Sequence, residues 1–185
     1  MKIVKQKTLA LVIDMQKKIM ATMYNENALI KRATFLLKGL HLFDVPMLIT
    51  QQYTKGLGNS MDFVFENSCE KKFFDKHSFS CARNEKIMQA ILDSGKTTIV
   101  IAGIEAHVCV LQTCLDLREK GFDVFLINDC ISSYRESDMK IAIERAKDAG
   151  VKLTTSESLL FELAGDSACA EFKSLSTLVK EFHHD

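Results

Sequence analysis

Short apolar runs rich in Leu, Ile and Val alternate along the chain with longer stretches in which apolar residues recur at helical spacing. Residues 9–13, 45–50, 97–102, 122–127 and 151–154 read as strands, because each run is too short and too continuous to be one face of an amphipathic helix. Helical periodicity fills 25–43, 85–94, 106–120, 137–149, 156–163 and 168–182. Gly95, Gly121 and Gly150 stand where three of those helices must stop, as befits a residue that enters the left-handed region without penalty. Ser156-x-Ser158 offers a cap to the helix that follows. A short strand is predicted over 72–74, and Pro46, the only proline, sits at the edge of its strand.

Strands alternating with helices through short connections predict a three-layer α/β/α sandwich with a mostly parallel central sheet, wound right-handed. No repeat, low-complexity tract or linker interrupts the pattern, so residues 1–185 are expected to form one domain, long enough to bury a core without staples. The segment 51–67, with Gly56 and Gly58 near its middle, is long for a connection in such a fold and is predicted to act as a lid over a pocket.

Composition narrows the function. Lys and Arg total 24 and Asp and Glu total 24, so the chain lacks the positive field of a nucleic-acid binder, and no basic block interleaved with aromatics appears. A small-molecule substrate, neutral or anionic, is expected, with no nucleic acid and no membrane as partner. The basic start at Lys2, Lys5 and Lys7 precedes an apolar run too short for a signal peptide or a membrane span and broken by Asp14, which points to a soluble, cytoplasmic chain. Six cysteines lack C-x-x-C spacing or metal-site partners. Reduced thiols follow, with Cys69, Cys114, Cys130 and Cys169 read as small buried hydrophobes. The turn Gly103-Ile104-Glu105 does not continue into G-x-G-x-x-G, and a P-loop is missing, so NAD and ATP are disfavoured and no cofactor is expected.

Cys109 differs from the other thiols. It follows the apolar strand 97–102 and lies near the start of the helix predicted over 106–120, where backbone N–H groups and the positive end of a helix dipole favour thiolate. Asp14 closes the first strand, and Lys76 lies in Phe73-Phe74-Asp75-Lys76. A thiol, a carboxylate and an ammonium at three strand ends meet only where an open parallel sheet gathers those ends at one crevice. Taken singly, Asp14 is as much at home as a helix N-cap, and Lys76 as a solvated lysine. His107 is two residues from Cys109 on a predicted helix and so faces elsewhere, which favours a structural or pocket-wall role. His77 is placed near the entrance, and His183 and His184 are read as a solvated tail.

Three segments then carry a resemblance: Ala10-Leu11-Val12-Ile13-Asp14-Met15-Gln16, Lys76-x-x-Phe79-Ser80, and Gly103-Ile104-Glu105-Ala106-His107-Val108-Cys109-Val110. They resemble, in order, the signature segments of the isochorismatase-like cysteine hydrolases. Within that family the chain is most similar to the isochorismatase domain-containing proteins, through Thr50-Gln51-Gln52-Tyr53 with Gly56-Leu57-Gly58, Leu111-Gln112-Thr113-Cys114-Leu115-Asp116-Leu117, and Thr155-Ser156-Glu157.

The resemblance implies a Cys-Asp-Lys triad in which Cys109 is the nucleophile, Asp14 the base and Lys76 the cation between them, acting on an amide, carbamoyl or related substrate through a thioester. It also implies a cis bond between Ile104 and Glu105, ahead of an oxyanion hole built from the backbone N–H groups of Glu105 and Cys109. Gln16, Gln52, Tyr53, Phe79 and Ile104 are expected around the substrate, with Phe63 and Phe65 as further aromatic walls. Nicotinamidases of this family carry an Asp-x-His metal motif where this chain reads Gln51-Gln52-Tyr53-Thr54-Lys55, so no catalytic metal is expected. Family members assemble as dimers, tetramers or larger, and a homo-oligomer is expected here, with Met139-Ile141-Ile143 or the last helix as interface. Some related proteins are mitochondrial, although no Arg-rich presequence is visible. Two alternatives accompany this reading: a vestigial binding or scaffolding module of the same fold, and a redox sensor pairing Cys109 with Cys114.

Overall fold

The computed structural model describes residues 2–68, 70 and 72–184. Its strands are β1 (Thr8–Ile13), β2 (Met47–Gln52), β3 (Phe74–Lys76), β4 (Thr98–Ile104), β5 (Asp123–Ser132) and β6 (Lys152–Thr154). Its helices are α1 (Lys17–Met20), α2 (Glu26–Leu42), α3 (Thr54–Leu57), α4 (Asp62–Glu66), α5 (Glu85–Asp93), α6 (Leu111–Glu119), α7 (Glu136–Asp148), α8 (Ser156–Ala164) and α9 (Phe172–His184). The sheet runs β3-β2-β1-β4-β5-β6 with every pairing parallel.

Alternation within the strands builds the two cores. Leu9, Leu11 and Ile13 of β1, with Ile99 and Ile101 of β4, pack under α5, α6 and α7 through Ile87, Leu117 and Ala146. Ala10 and Val12, with Val100 and Ala102, point the other way and meet α2, α8 and α9 through Leu36, Leu160 and Leu175. β1 and β4 are buried along their whole length, as parallel strands covered on both faces must be. Among the described residues no helix is long and apolar enough to cross a membrane.

Several local expectations are corrected. The strand predicted over 72–74 lies instead at Phe74–Lys76, because pairing with β2 aligns Thr50 with Phe74 and Gln52 with Lys76. Asp75, polar within a strand, is accommodated at the sheet edge, where its Oδ1 accepts from Thr54 N at 2.8 Å and Thr54 Oγ1 at 2.6 Å. β4 and β5 outrun their apolar patterns, since a register shift between Ile101 and Gly103 lets Gly103 pair with Ile131 and Ile104 with Ser132. The cap of α8 is Thr155, whose side chain accepts from Ser158 N, whereas Ser156 Oγ donates to Asp129 at 2.6 Å.

The segment 51–67 is no loose lid. Its first two residues complete β2, it bridges to Gln16 through Ser60, and Met61 N donates to Met15 O at 2.8 Å. Phe63 and Phe65 pack partly buried against the core. Cys81, Cys114 and Cys130 are fully buried thiols and Cys169 is half-buried, while Cys69 lies outside the described residues. Of the interface candidates, Met139 and Ile143 pack partly buried on the core while Ile141 is 57% exposed, and Leu175 and Phe182 of α9 are buried within the chain while Leu178 and Val179 are partly buried.

Candidate active site

In this strand order the chain leaves the centre of the sheet in opposite directions from β1 and β4, so their carboxyl ends flank a crevice. Asp14 is the first residue past β1, Gln52 ends β2, Lys76 ends β3, and Cys109 sits in the turn just after β4. That turn is not the predicted start of an α-helix. Residues Ala106–Val110 form a π-helical turn, and α6 begins only at Leu111. The peptide between Ile104 and Glu105 is cis.

Lys76 is the hub. Its ammonium lies 2.7 Å from Asp14 Oδ2 and 2.7 Å from Gln52 Oε1, and donates to the carbonyls of Ser78 and Phe79, both at 3.2 Å. The other oxygen of Asp14 accepts from Thr50 Oγ1 at 2.7 Å. Cys109 Sγ stands 4.0 Å from Gln52 Oε1, the same oxygen that faces the ammonium. The Lys76 and Asp14 side chains are 0% and 2% exposed, so this ion pair is held out of water and neither member is the solvated lysine or helix cap that each resembles alone.

Backbone geometry places these groups. Asp14 has φ 51° and Tyr53 has φ 39°, so the chain turns through the left-handed region directly after β1 and again after β2. Such residues cost roughly 1–3 kcal/mol each and persist where surrounding contacts impose them. Asp14 N donates to Thr50 O at 3.2 Å, which locks its turn to β2. Thr113 Oγ1 donates to Cys109 O at 2.6 Å and accepts from Cys81 N at 2.9 Å, joining the thiol's turn to the segment after Lys76. At Gly103, φ 129° and the nearness of the Ile13 carbonyl leave no room for a Cβ where β4 passes β1.

Electrostatics correct one expectation. Burial first, then the facing Asp14 carboxylate, push the Cys109 thiol up to about 12, against a smaller downward pull from Lys76. The dipole argument for a resting thiolate assumed an α-helix start open to water, and here Cys109 is 6% exposed beside a carboxylate. Lys76 moves the other way. Burial lowers its pKa, but Asp14, with lesser help from Cys81 and Cys109, outweighs that and leaves it above the usual lysine value. The resting site is therefore an ammonium–carboxylate pair beside a protonated thiol.

Of the residues expected around a substrate, Tyr53 and Phe79 are open to solvent at 45% and 53%, and Gln52 is half-buried. Ile104 is 0% exposed and belongs to the core. Gln16 is equally buried, with both ends of its amide committed to the backbone: Oε1 accepts from Gln52 N at 2.7 Å, and Nε2 donates to Gln52 O at 3.1 Å and Gly58 O at 2.6 Å. His77 stacks at 5.4 Å from the Tyr53 ring, and His107 Nδ1 meets Ser133 Oγ at 2.9 Å, consistent with a structural role. Cavities of the chain lie beside Phe35 and Phe182, at Arg32 and Asp129, at Arg83 and Asp116, and under Pro46; none of these is lined by Asp14, Lys76 or Cys109. Among the described residues, no three His, Cys, Asp or Glu side chains are grouped to hold a metal.

Thr50, Thr113 and Cys81 were not singled out in the sequence as parts of the site. Thr50 had a readable signal, since it shares strand parity with Gln52 at the end of β2, next to the end of β1.

Comparison with known proteins bears directly on this arrangement. The model of the isochorismatase domain matches residues 8–158, which include Asp14, Lys76 and Cys109. The chain belongs to the isochorismatase family. It is 33% identical over 189 residues to isochorismatase family protein 1B of Dictyostelium discoideum, covering 100% of this chain and 91% of that protein. It is 32% identical over 170 residues to isochorismatase domain-containing protein 2 of Bos taurus, covering 91% and 80%. A solved structure described as MAR1 ribonuclease from Caenorhabditis elegans superposes with a TM-score of 0.91 at 31% identity, covering 97% of this chain and 93% of that one.

Proposed function

We propose that this isochorismatase-family hydrolase cleaves a small amide, carbamoyl or related acyl compound by covalent catalysis at Cys109. The observation that carries the reading is the Lys76 ammonium held 2.7 Å from Asp14 and 2.7 Å from the Gln52 oxygen that Cys109 Sγ also faces. Such a site does not need a preformed thiolate. Asp14 takes the thiol proton as sulfur attacks the carbonyl carbon, so charge passes from carboxylate to sulfur to the carbonyl oxygen while the ammonium stays beside it.

The backbone N–H groups of Glu105 and Cys109 are the donors for that oxyanion, each worth roughly 3 kcal/mol in the transition state. Protonated Asp14 then gives its proton to the departing amine as the C–N bond breaks and leaves a thioester. Water attacks the thioester with Asp14 again as base, the C–S bond breaks, and the proton returns to sulfur. Tyr53 and Phe79 supply the solvent-facing side of the entrance. No metal enters this scheme, and assembly as a homo-oligomer belongs to the reading by family resemblance.

A second reading, a binding module with a vestigial site, is favoured by one observation: Cys109 is 6% exposed and its thiol is pushed up to about 12. Hydrolysis assays on small amides, carbamates, vinyl ethers and short RNA, run on wild type and Cys109→Ser, separate the two. RNA enters the panel because of the name of the C. elegans relative, although the balanced charge of this chain speaks against it. Amide or carbamate turnover that disappears in Cys109→Ser supports the covalent reading. Turnover that survives the substitution overturns it, and inertness toward the whole panel, with no acyl adduct formed on Cys109, supports the binding module.

A further inference from the structure

The end of β2 carries a side chain whose placement the acid–amine–thiol scheme leaves unused. Gln52 Nε2 donates to His77 O at 2.9 Å, and its Oε1 accepts from the Lys76 ammonium at 2.7 Å. This orientation is the only one chemically sensible. Turning the amide over would set two N–H donors against an ammonium and an oxygen against a carbonyl.

The main chain of Gln52 is clamped as well, its N–H and C=O both bonded to the buried amide of Gln16. One oxygen is thus held between the Lys76 ammonium and the Cys109 sulfur, 4.0 Å from the latter. Lys76 has three protons and four acceptors, counting Asp14, Gln52 and the carbonyls of Ser78 and Phe79. Loss of Gln52 would leave every proton of the buried ammonium a partner. Gln52 is therefore more than a prop that satisfies the lysine.

We infer that Gln52 is a positioning residue for the nucleophile: its fixed amide oxygen competes with sulfur for the Lys76 ammonium and faces the thiol, so that it sets how readily Cys109 ionises. The inference rests on the thiol–acid–amine reading and assigns Gln52 away from plain substrate contact. A carbonyl oxygen beside the sulfur accepts from S–H and repels a thiolate, which keeps the thiol protonated until a substrate and Asp14 draw the proton off. Other titratable groups also act on Cys109: Asp14 from the end of β1, Lys76 from β3 and Cys81 from the turn after β3, while His107 on the same turn is paired with Ser133. All of these are unchanged in Gln52 variants.

The test is the pH dependence of iodoacetamide alkylation at Cys109, located by peptide mass mapping, in wild type, Gln52→Met and Gln52→Glu. Methionine removes the amide oxygen that faces the sulfur, and with it the dipole that repels a thiolate, so alkylation shifts to lower pH. Glutamate keeps the shape and adds a negative charge, so alkylation shifts to higher pH, with roughly tenfold or greater slowing at a fixed pH, the size a neighbouring like charge gives. Opposite shifts from two substitutions at one position are not what loosened packing produces. If Gln52→Met is too unstable to assay, Gln52→Leu replaces it, since it too removes the amide oxygen, and the same downward shift is expected.

Superimposed profiles, or shifts of the same sign, overturn the inference. Alkylation is read without turnover, so it stands apart from the underlying scheme. Hydrolysis that survives in Cys109→Ser sinks that scheme, whereas hydrolysis lost in Cys109→Ser with unshifted Gln52 profiles sinks only the role of Gln52.

Discussion

Replacing Lys76 by Met removes a charge while keeping most of the side chain's volume, and the consequence can be worked from the site. The ammonium and the Asp14 carboxylate are 0% and 2% exposed and 2.7 Å apart, so each is compensated almost entirely by the protein. Removing one member of a buried pair costs about 3–5 kcal/mol, because the remaining charge is stranded away from water. Asp14 would keep Thr50 Oγ1 on its other oxygen.

Urea unfolding of wild type, Lys76→Met, Asp14→Asn and the double variant measures the loss. The double variant should lose much less than the sum of the single losses, since it leaves no unpaired charge. A loss under about 1 kcal/mol in Lys76→Met would refute the claim that this pair is buried and mutually dependent.

Three further outcomes follow from the same contacts. Gly103→Ala should lower stability by roughly 2–5 kcal/mol, or prevent folding, because φ 129° and the Ile13 carbonyl both resist a Cβ; a melting temperature within a degree or two of wild type would contradict this. Thr113→Val removes the acceptor for the buried Cys81 N–H and the donor to Cys109 O, at a cost of about 1–3 kcal/mol by denaturant titration. Cys130 is fully buried, and burial, then Asp129, holds its thiol well above the usual value. It therefore stays protonated when folded but ionises when unfolded above about pH 8.5, so stability declines on the alkaline side, and Cys130→Ala should flatten that decline by up to about 1.4 kcal/mol per pH unit.

The parts of this molecule legible in its sequence are those governed by period and by strand ends. Apolar runs such as Leu9 to Ile13 announced buried parallel strands, and the Asp, Lys and Cys closing or following three of them announced a crevice. Shape beyond those periods was not legible. β5 continues to Ser132 only because a bulge re-registers it against β4, which no local pattern encodes. Gln16 and Ile104 neighbour reactive residues in sequence, yet the turn at Asp14 sends the amide of Gln16 to the backbone of Gln52, and strand parity sends Ile104 into the core. The ionisation of Cys109 was misjudged because a helix dipole is a local property, whereas burial and the Asp14 charge come from segments nearly 100 residues away in the chain.

Everything proposed for catalysis depends on a bond between Cys109 and the acyl group. Acid-quenched intact-mass measurement of the protein during turnover of an activated amide or ester, followed by peptide mapping, reads that bond directly. The account predicts a mass increase equal to the acyl group, confined to Cys109 and lost in Cys109→Ser. Steady turnover without any adduct on that sulfur, or with the adduct on another residue, would contradict it.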